Sequence, residues 1–448
     1  MRISTRMLLD KAFSGIGIFS VILMAGALLV LLGPILMRGR GAFVFRATVE
    51  HRRFMVEHLD RGNAGRLKAE LSAAQATRQP VYDMIVQFER ELSNGPADER
   101  QRYGRPLHDL KDKMRILLGP LPGDEQPVLL RDRYGQARWD RALVKLHDLL
   151  YVTRYDYSDP SQMGRKQYVP RVEEFQGTPL EPLFGYVQKN LDKMLLPRTT
   201  FYWRFIFDEP YDSNFFGGIW PAVLGTLYLT IGAMLVAAPM GIISAIYLAE
   251  YAGGGRFIGV IRTCISTLAG VPSIVFGLFG LAFFINALRL SASKSVLAGS
   301  LTLALLILPT IIRASEEAIR AVPPTYKEAA LSLGAGNWRT ITRVILPSAL
   351  SGILTSIIIS MGRAAGETTP IIFTAAVSLG KPLKIWEVFS QPTPALSWNV
   401  YNLSTEHQAV DEIRHVQYGM VLTLIVLVLV LNIAAIVLRG RIAKRLRA

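Results

Sequence analysis

The sequence has almost no cysteine and lacks any recognisable catalytic or metal-binding motif. Its single cysteine, Cys264, excludes an intrachain disulfide and lies in an apolar run, where packing is the default role. The six histidines show no spacing typical of metal ligands. A glycine-rich phosphate loop is also missing, since the nearest match, residues 375–381, lacks the first glycine and the Ser/Thr after Lys381. We therefore expect no cofactor, no metal and no ATP hydrolysis by this chain itself.

Long apolar runs are what the sequence does contain. Of its 448 residues, 50% are hydrophobic, and they are concentrated in a few runs instead of being spread at core periodicity. A helix needs about 20 such residues to cross ~30 Å of hydrocarbon. Six runs qualify, at residues 12–37, 217–248, 264–288, 295–312, 346–361 (continuing less cleanly to 379) and 419–438. The first run lacks a small-residue cleavage site, so we expect a retained anchor.

Positive charge gathers in alternate loops between these runs. The net charge is +15, yet residues 38–216 hold 29 basic and 25 acidic side chains, so most of the excess lies elsewhere. The basic groups are Arg2, Arg6 and Lys11; Arg256 and Arg262; Arg313, Arg320, Lys327, Arg339 and Arg343; and Arg439, Arg441, Lys444, Arg445 and Arg447. The positive-inside rule predicts that all four groups and both termini are cytoplasmic. This distribution argues against nucleic acid as a partner and for membrane lipid.

Residues 38–216 form a stretch of domain size between the first two predicted spans. Four apolar stripes at helical spacing indicate a mainly helical extracytoplasmic domain. The stripes are Met84, Ile85, Phe88 and Leu92; Leu107, Leu110, Met114 and Leu117; Leu143, Leu146 and Leu150; and Leu183, Val187, Leu191 and Leu195. Alternating aromatic residues at 201, 203, 205 and 207 predict one strand or an aromatic belt near the bilayer. Such stripes usually form a core; docking of a soluble partner here is a hypothesis that rests on placement alone.

A polar loop at residues 313–345 separates the fourth and fifth predicted spans. Thr325 and Glu328 have the spacing of a capping box, which predicts a helix start at Thr325. Gly334 and Gly336 then predict a helix stop, and Asn337 can cap the next helix. We expect a short helix, a sharp turn and a second helix that leads into the membrane.

The spacing of this loop resembles the EAA loop of ABC importer permeases. Glu328-Ala329-Ala330 is followed after three residues by Gly334 and, further on, by Leu346-Pro347, with Val344 in place of the family's isoleucine. In that family the loop docks on a cytoplasmic ATPase and transmits its closure. The resemblance implies that these residues couple the chain to such an ATPase, whereas an isolated Glu-Ala-Ala would indicate only a helical hairpin.

Two charged residues, Arg363 and Glu367, interrupt the fifth apolar stretch. An arginine in mid-bilayer costs about 2.5–3.5 kcal/mol on insertion scales, so such residues usually face a cavity or a partner. Four residues apart, the two share a helical face. The planar donor fork of arginine suits oxyanions, phosphate above all. A substrate pathway and a structural ion pair between helices both remain open from this pattern.

Four further segments resemble the A-type permease of the phosphate-specific ABC importer. They are Gly362-Arg363-Ala364-Ala365-Gly366-Glu367-Thr368 with Pro370; residues 269–280, AGVPSIVFGLFG; residues 217–221, GGIWP; and residues 313–318, RASEEA. Together they cover about residues 215–380. The insertion at 38–216 departs from a compact permease of this type.

The resemblance implies an all-α, polytopic inner-membrane protein with six transmembrane helices, the type I ABC importer permease fold, plus the inserted domain. Its parts would be residues 1–37, the insertion 38–216, a core at 217–438 and a basic tail at 439–448. It implies inward phosphate transport with Arg313, Arg363 and Glu367 on the pathway. The implied partners are a second related permease, two ATPase copies and an extracytoplasmic phosphate-binding protein.

Three other classes of membrane protein are considered as alternatives. A receptor with the layout span–domain–span should continue into a cytoplasmic signalling segment, yet four more predicted spans follow. A proton- or sodium-coupled carrier would not require an EAA loop. A permease for another oxyanion, such as molybdate or sulfate, remains the nearest alternative.

Overall fold

The computed structural model describes residues 3–156, 164–253 and 255–447; Arg2, counted in the first basic group, lies outside them. The chain divides into two compact units. We call Met1–Ala42 with Arg204–Ala448 the apolar unit, and Phe43–Trp203 the inserted unit. The inserted unit is shorter than the predicted insertion 38–216, because both flanks pack in the apolar unit: a Cβ on Gly419 would touch Ala42 and Phe205.

The apolar unit is almost entirely helical. Its first and last helices, α1 and α17, pack on each other, and α8, α11 and α14 form its centre. The helices are α1 Ile3–Gly39, α8 Trp220–Ile246, α9 Arg256–Leu268, α10 Ser273–Gly280, α11 Val296–Arg320, α12 Pro324–Ser332, α13 Asn337–Thr340, α14 Leu346–Gly366, α15 Thr369–Thr374, α16 Leu396–Thr405 and α17 Arg414–Arg447. Three π-helical segments, Tyr247–Tyr251, Leu281–Ala287 and Ile341–Ile345, extend α8, α10 and α13. A two-stranded hairpin pairs β5 Pro210–Tyr211 with β6 Phe216–Gly217.

Five helical stretches of the described residues are long and apolar enough to cross a membrane, or six if one bent pair counts as a span. The straight ones are Lys11–Ala42, Trp220–Tyr251, Val296–Arg320, Asn337–Gly366 and Arg414–Ile442. The bent pair is Arg256–Leu268 with Ser273–Ala287, at 100°. The membrane-protein class is therefore as predicted, and the predicted third span at 264–288 corresponds to the bent pair, which gives six spans if it is counted as one.

The bend in the third predicted span has a local cause. Pro272 stands immediately before α10, and a proline disfavours helical backbone at the residue that precedes it. The chain instead makes a turn in which the amides of Gly270 and Val271 donate to the carbonyls of Thr267 and Leu268. One outcome is that Cys264 lies exposed on α9, so its expected packing role is not met within this chain.

The fifth predicted span also ends earlier than the apolar pattern suggests. Helix α14 stops at Gly366, and Glu367 has extended backbone, with φ −70° and ψ 131°. The prediction that the span continues to residue 379 is wrong, because Pro370 permits only the new, short helix α15. The chain then pairs Ala376 with Thr393 in an isolated parallel bridge.

The inserted unit is mainly helical with two small antiparallel sheets, which the sequence patterns did not predict. Strands β1 and β4, which lie at the two ends of the inserted unit, pair with Val44 opposite Phe201, and β2 pairs with β3. The elements are β1 Val44–Ala47, α2 Val49–Leu59, α3 Ala64–Asn94, α4 Ala97–Leu118, α5 Leu130–Arg133, α6 Trp139–Leu150, β2 Tyr151–Asp156, β3 Arg165–Pro170, α7 Glu181–Leu195 and β4 Arg198–Phe201. Because β4 ends at Phe201 and a 3-10 turn follows at Trp203–Ile206, the strand alternative for residues 201–207 is wrong, and the aromatic belt stays a prediction.

The predicted helical stripes form the core of the inserted unit. Residues from α3, α4 and α7 bury together, among them Ile85, Leu110 and Val187, which are at most 2% exposed. Leu146 and Leu150 of α6 pack against this core. Leu143 is the exception within its stripe, at 47% exposed.

A buried arginine joins four parts of this core. Arg78 on α3 donates to Glu50 Oε1 at 2.9 Å and to the carbonyls of Leu118 and Met194 at 2.8–3.1 Å. These two carbonyls belong to the last turns of α4 and α7, where the backbone has no helical partner for them. Arg78 and Glu50 are both nearly inaccessible, at 6% and 2% side-chain exposure. The arginine therefore neutralises a buried carboxylate and caps two helices at once.

We predict that Arg78→Leu destabilises the inserted unit by about 3 kcal/mol, since the buried Glu50 carboxylate would keep only Arg53, 3.8 Å away, as a basic partner. Hydrogen exchange of the whole chain should show faster exchange across α2, α3 and α7. The control is Arg90→Leu, an exposed arginine on the same helix. Equal protection in both variants would contradict the role of Arg78.

Candidate functional site

The loop between α11 and α14 folds as a helix, a turn and a helix. Helix α12 begins at Pro324 after Pro323, with no side-chain cap, so the predicted capping box from Thr325 to Glu328 is wrong. Proline is well suited to the first helical position because its φ is preset and its missing N–H is not needed there. The helix consequently starts one residue before Thr325. Asn337 is likewise the first residue of α13, not its cap.

The turn depends on Gly334, as predicted. Its φ of +81° is left-handed, and the amide of Ala335 donates to the carbonyl of Ala330 at 3.1 Å, the bond of a Schellman helix end. A Cβ on Gly334 would meet nothing within 4 Å, so the requirement for glycine is conformational, not steric. Gly336 has φ −70° and contributes no left-handed residue.

This turn presents apolar side chains to the outside. Leu333 is 89% exposed, Trp338 66% and Tyr326 52%. Glu328 and Ala329 are also exposed, whereas Ala330 is buried. Exposed large apolar groups clustered on one loop are typical of a surface that binds another protein.

An ion pair anchors the helix of the turn to another part of the unit. Lys327 Nζ lies 2.6 Å from Glu250 Oε2, in the π-helical segment after α8, and Glu250 is only 10% exposed. Helix α12 also contacts Ile341–Ile345, the π-helical segment that leads into α14. The segment Leu346-Pro347 then opens α14, with Pro347 in its first turn. Any displacement of the turn therefore reaches α14 directly.

A second charged cluster lies at the end of α11. Glu316 accepts from Arg262 at 3.1 Å and from Arg320 at 2.8 Å. These groups line a cavity of about 220 Å³ together with Arg313, which is itself exposed. Arg313 was predicted as a site residue and Glu316 was not, because its partner Arg262 is 54 residues away in sequence.

Arg363 and Glu367 lie together at the opposite end of α14. Arg363 Nε is 3.2 Å from Glu367 Oε1, and their side chains are 41% and 19% exposed. The Ser397 hydroxyl donates to the Glu367 carbonyl at 3.0 Å, which fixes the backbone just past the helix end. The terminal nitrogens of the Arg363 guanidinium remain accessible for an anion.

Arg313 does not join this pair. The Ser315 and Ser356 hydroxyls, 3.3 Å apart, fix the register of α11 on α14. With the two helices antiparallel, Arg363 lies roughly 8 Å further along the bundle than Arg313. The structure thus brings Arg363 and Glu367 together and leaves Arg313 with the Glu316 cluster.

Residues 269–280 pack against the segment that follows Glu367, which includes Pro370. A Cβ on Gly277 of α10 would lie 3.0 Å from Pro370 Cα, and one on Gly280 would lie 2.1 Å from the Thr302 hydroxyl. Only glycine permits α10 to approach α15 and α11 so closely. These glycines therefore support the backbone that follows Glu367.

The family model described as binding-protein-dependent transport system inner membrane component matches residues 237–448. The probable ABC transporter permease protein YqgI of Bacillus subtilis is 34% identical over 241 residues, which cover 52% of this chain and 81% of that protein. The phosphate transport system permease protein PstA 1 of Mycobacterium tuberculosis is 37% identical over 235 residues, covering 52% and 74%. Among solved structures, the MetNI methionine ABC transporter in an inward-facing conformation aligns with a TM-score of 0.39 and 15% identity, covering 50% of this chain and 94% of that one.

The membrane-spanning helices and the match to this family model define the class as a multi-pass inner-membrane transport protein. The chain belongs to the family of binding-protein-dependent transport system inner membrane components, as a permease subunit of an ABC importer. The family model covers α9 to α17 and the C-terminal part of α8. The inserted unit lies outside it.

We predict that Glu250→Gln and Lys327→Met each loosen α12, because either change removes the ion pair that anchors it. The loss should be about 1 kcal/mol or less, since Lys327 is 40% exposed and solvent screens the pair. Hydrogen exchange of residues 324–335 measures it, and the double variant should add nothing to the larger single effect. Additive effects of the two changes would show that the residues act independently.

Proposed function

We propose that this permease subunit carries inorganic phosphate into the cytoplasm, driven by a separate ATPase subunit, and that it hydrolyses no ATP itself. The observation that carries the proposal is the Arg363–Glu367 pair at the end of α14. Its relatives in Mycobacterium tuberculosis and Xylella fastidiosa bear the name of phosphate transport system permease proteins.

The geometry of the pair suits a phosphate ion. Glu367 engages Nε of Arg363, which leaves the two terminal nitrogens to donate in parallel to two oxygens of one oxyanion. The carboxylate also limits the net positive charge, so that the anion is bound without being trapped. A carboxylate beside the anion can in addition accept a hydrogen bond from the hydroxyl of monohydrogen phosphate, a group that sulfate does not carry. Arg313, beside the Glu316 cluster, is our second candidate for the pathway.

The turn at Gly334 is the proposed contact with the ATPase. Glu328, Ala329, Ala330, Gly334, Leu346 and Pro347 are its coupling residues. The exposed Leu333 and Trp338 fit an apolar groove on a partner, and the ion pair at Lys327 holds the helix that presents them. Because the turn continues through a π-helical segment into α14, closure of the ATPase would move the helix that carries Arg363 in its last turn.

The remaining partners follow from this arrangement. We propose a complex with a second related permease, two ATPase copies and an extracytoplasmic phosphate-binding protein. The basic loops favour cytoplasmic termini and a cytoplasmic Gly334 turn, with the inserted unit on the other side. A permease for sulfate or molybdate is the alternative, since those oxyanions would also bind a guanidinium.

We predict that Arg363→Gln abolishes phosphate uptake while the complex reaches the membrane in normal amount, since the oxyanion loses its charged fork. Uptake by vesicles that contain the whole complex measures this, with sulfate and molybdate as competitors. Arg414→Gln is the matched control, because Arg414 also pairs with a nearby carboxylate, that of Asp411.

Two outcomes would contradict the assignment. Loss of the protein from the membrane would support a structural ion pair. Competition by molybdate or sulfate as strong as by phosphate itself would favour the other oxyanions as substrate.

We predict that Gly334→Pro uncouples ATP hydrolysis from uptake. Proline cannot adopt a φ of +81°, and it removes the amide that donates to the Leu331 carbonyl at 2.9 Å. Uptake should fall at least tenfold while ATPase subunits still copurify in part. The control is Gly336→Pro, because Gly336 already has a proline-like φ of −70°. Wild-type transport by the Gly334 variant would remove the coupling claim.

A further inference from the structure

A second cavity, about 780 Å³ in volume, lies at the end of α14 where the coupling turn joins it. It is bounded by the last turn of α11, by Tyr326 of α12, by the start of α14 and by Arg439 of α17. Arg343 and Arg439 both line it, and Arg343 is exposed. Along the chain Arg343 is 20 residues from Arg363, roughly 30 Å for a helix, so this cavity is separate from the pair proposed to bind phosphate.

The charge in this cavity is of one sign. Two guanidinium groups reach it, and no carboxylate occurs among the described residues that line it. Arg439 is held in place by its bond to the Thr355 hydroxyl, at 2.7 Å from Nη1, which leaves its other donors available. Ser351 adds a polar residue to the lining, whereas the Ser348 hydroxyl donates to the Val344 carbonyl at 2.7 Å. Such a site favours an anion that accepts several hydrogen bonds.

The rest of the lining is apolar, and it continues onto the outside of α17. Val344, Leu350 and Leu354 line the cavity itself. On α17, Ile436, Val437 and Leu438 lead up to Arg439 and are 47–56% exposed. An occupant therefore needs an anionic head for the arginines and an apolar body that can lie along the helix. Free phosphate meets only the first requirement.

We propose that this cavity binds the headgroup of an anionic phospholipid, with Arg343 and Arg439 on its phosphate and the acyl chains along α17. The proposal rests on the orientation given under the proposed function, which puts these arginines at the inner leaflet. Basic pockets between membrane helices on that side suit anionic headgroups. Because Pro347 and Tyr326 also line the cavity, the lipid would contact the coupling loop directly.

The test is lipid binding by the whole purified complex, delipidated and then given phosphatidylglycerol or phosphatidylcholine with identical acyl chains. Native mass spectrometry should show retained phosphatidylglycerol and little phosphatidylcholine. The double variant Arg343→Gln/Arg439→Gln should bind phosphatidylglycerol about 30-fold more weakly. The matched control Arg339→Gln/Arg441→Gln removes the same charge from exposed positions nearby and should bind like the parent.

Three results would overturn the proposal. They are equal binding of the two lipids, equal losses in the two double variants, and displacement of phosphatidylglycerol by millimolar inorganic phosphate. If the Gln variant fails to assemble, Arg343→Lys/Arg439→Lys should keep the preference for phosphatidylglycerol, and its loss would contradict a headgroup site. Lipid binding is measured without transport, so it can also be measured in the Arg363→Gln complex. We expect unchanged lipid binding there, even if Arg363 proves not to bind phosphate.

Discussion

Each ionised side chain inside the apolar unit needs a partner of opposite charge or a helix end, and this requirement constrains how the helices of the unit pack. A charge away from water is tolerated only beside a partner or at a helix end, because its desolvation is otherwise too costly. Glu250 and Glu316 are each only 10–12% exposed, and each meets a basic side chain from another helix. The first pair ties α12 to the segment after α8, and the second ties α9 to α11; Arg262 also donates to the Leu248 carbonyl of that segment at 2.8 Å.

Helix α14 connects the two regions that we assign to coupling and to substrate. Its 21 residues span about 31 Å between the turn and the Arg363–Glu367 pair. The π-helical segment that precedes it has a different hydrogen-bond pattern from an α-helix, and such segments occur often at functional sites. A helix that is rigid along its length and joined to the turn through such a segment can transmit a movement as a whole.

The sequence predicted those features that depend on residues close to one another in the chain. The stop at Gly334 followed from glycine's tolerance of the left-handed region, and the pairing of Arg363 with Glu367 followed from their spacing. The start of α12 was misplaced because a proline, not a side-chain cap, determines it. The bend before Pro272 was not predicted, because the apolar run continues through it.

Contacts between distant residues were beyond the sequence patterns. Lys327 and Glu250 are 77 residues apart, and Arg439 and Thr355 are 84 apart, so no periodicity relates them. A lone acidic residue at the end of an apolar run, such as Glu250, was the one available signal of a buried ion pair. The strand pairing of β1 with β4 had none, because each strand has only four residues.

That pairing has a consequence for the architecture of the chain. Because β1 and β4 run side by side, the backbone enters and leaves the inserted unit at neighbouring points, with Cα atoms about 5 Å apart. Excising everything between them would leave two cut ends that a tight hairpin of two residues could rejoin. The inserted unit thus begins and ends at adjacent backbone positions, so its removal would require no new path for the chain between α1 and α8.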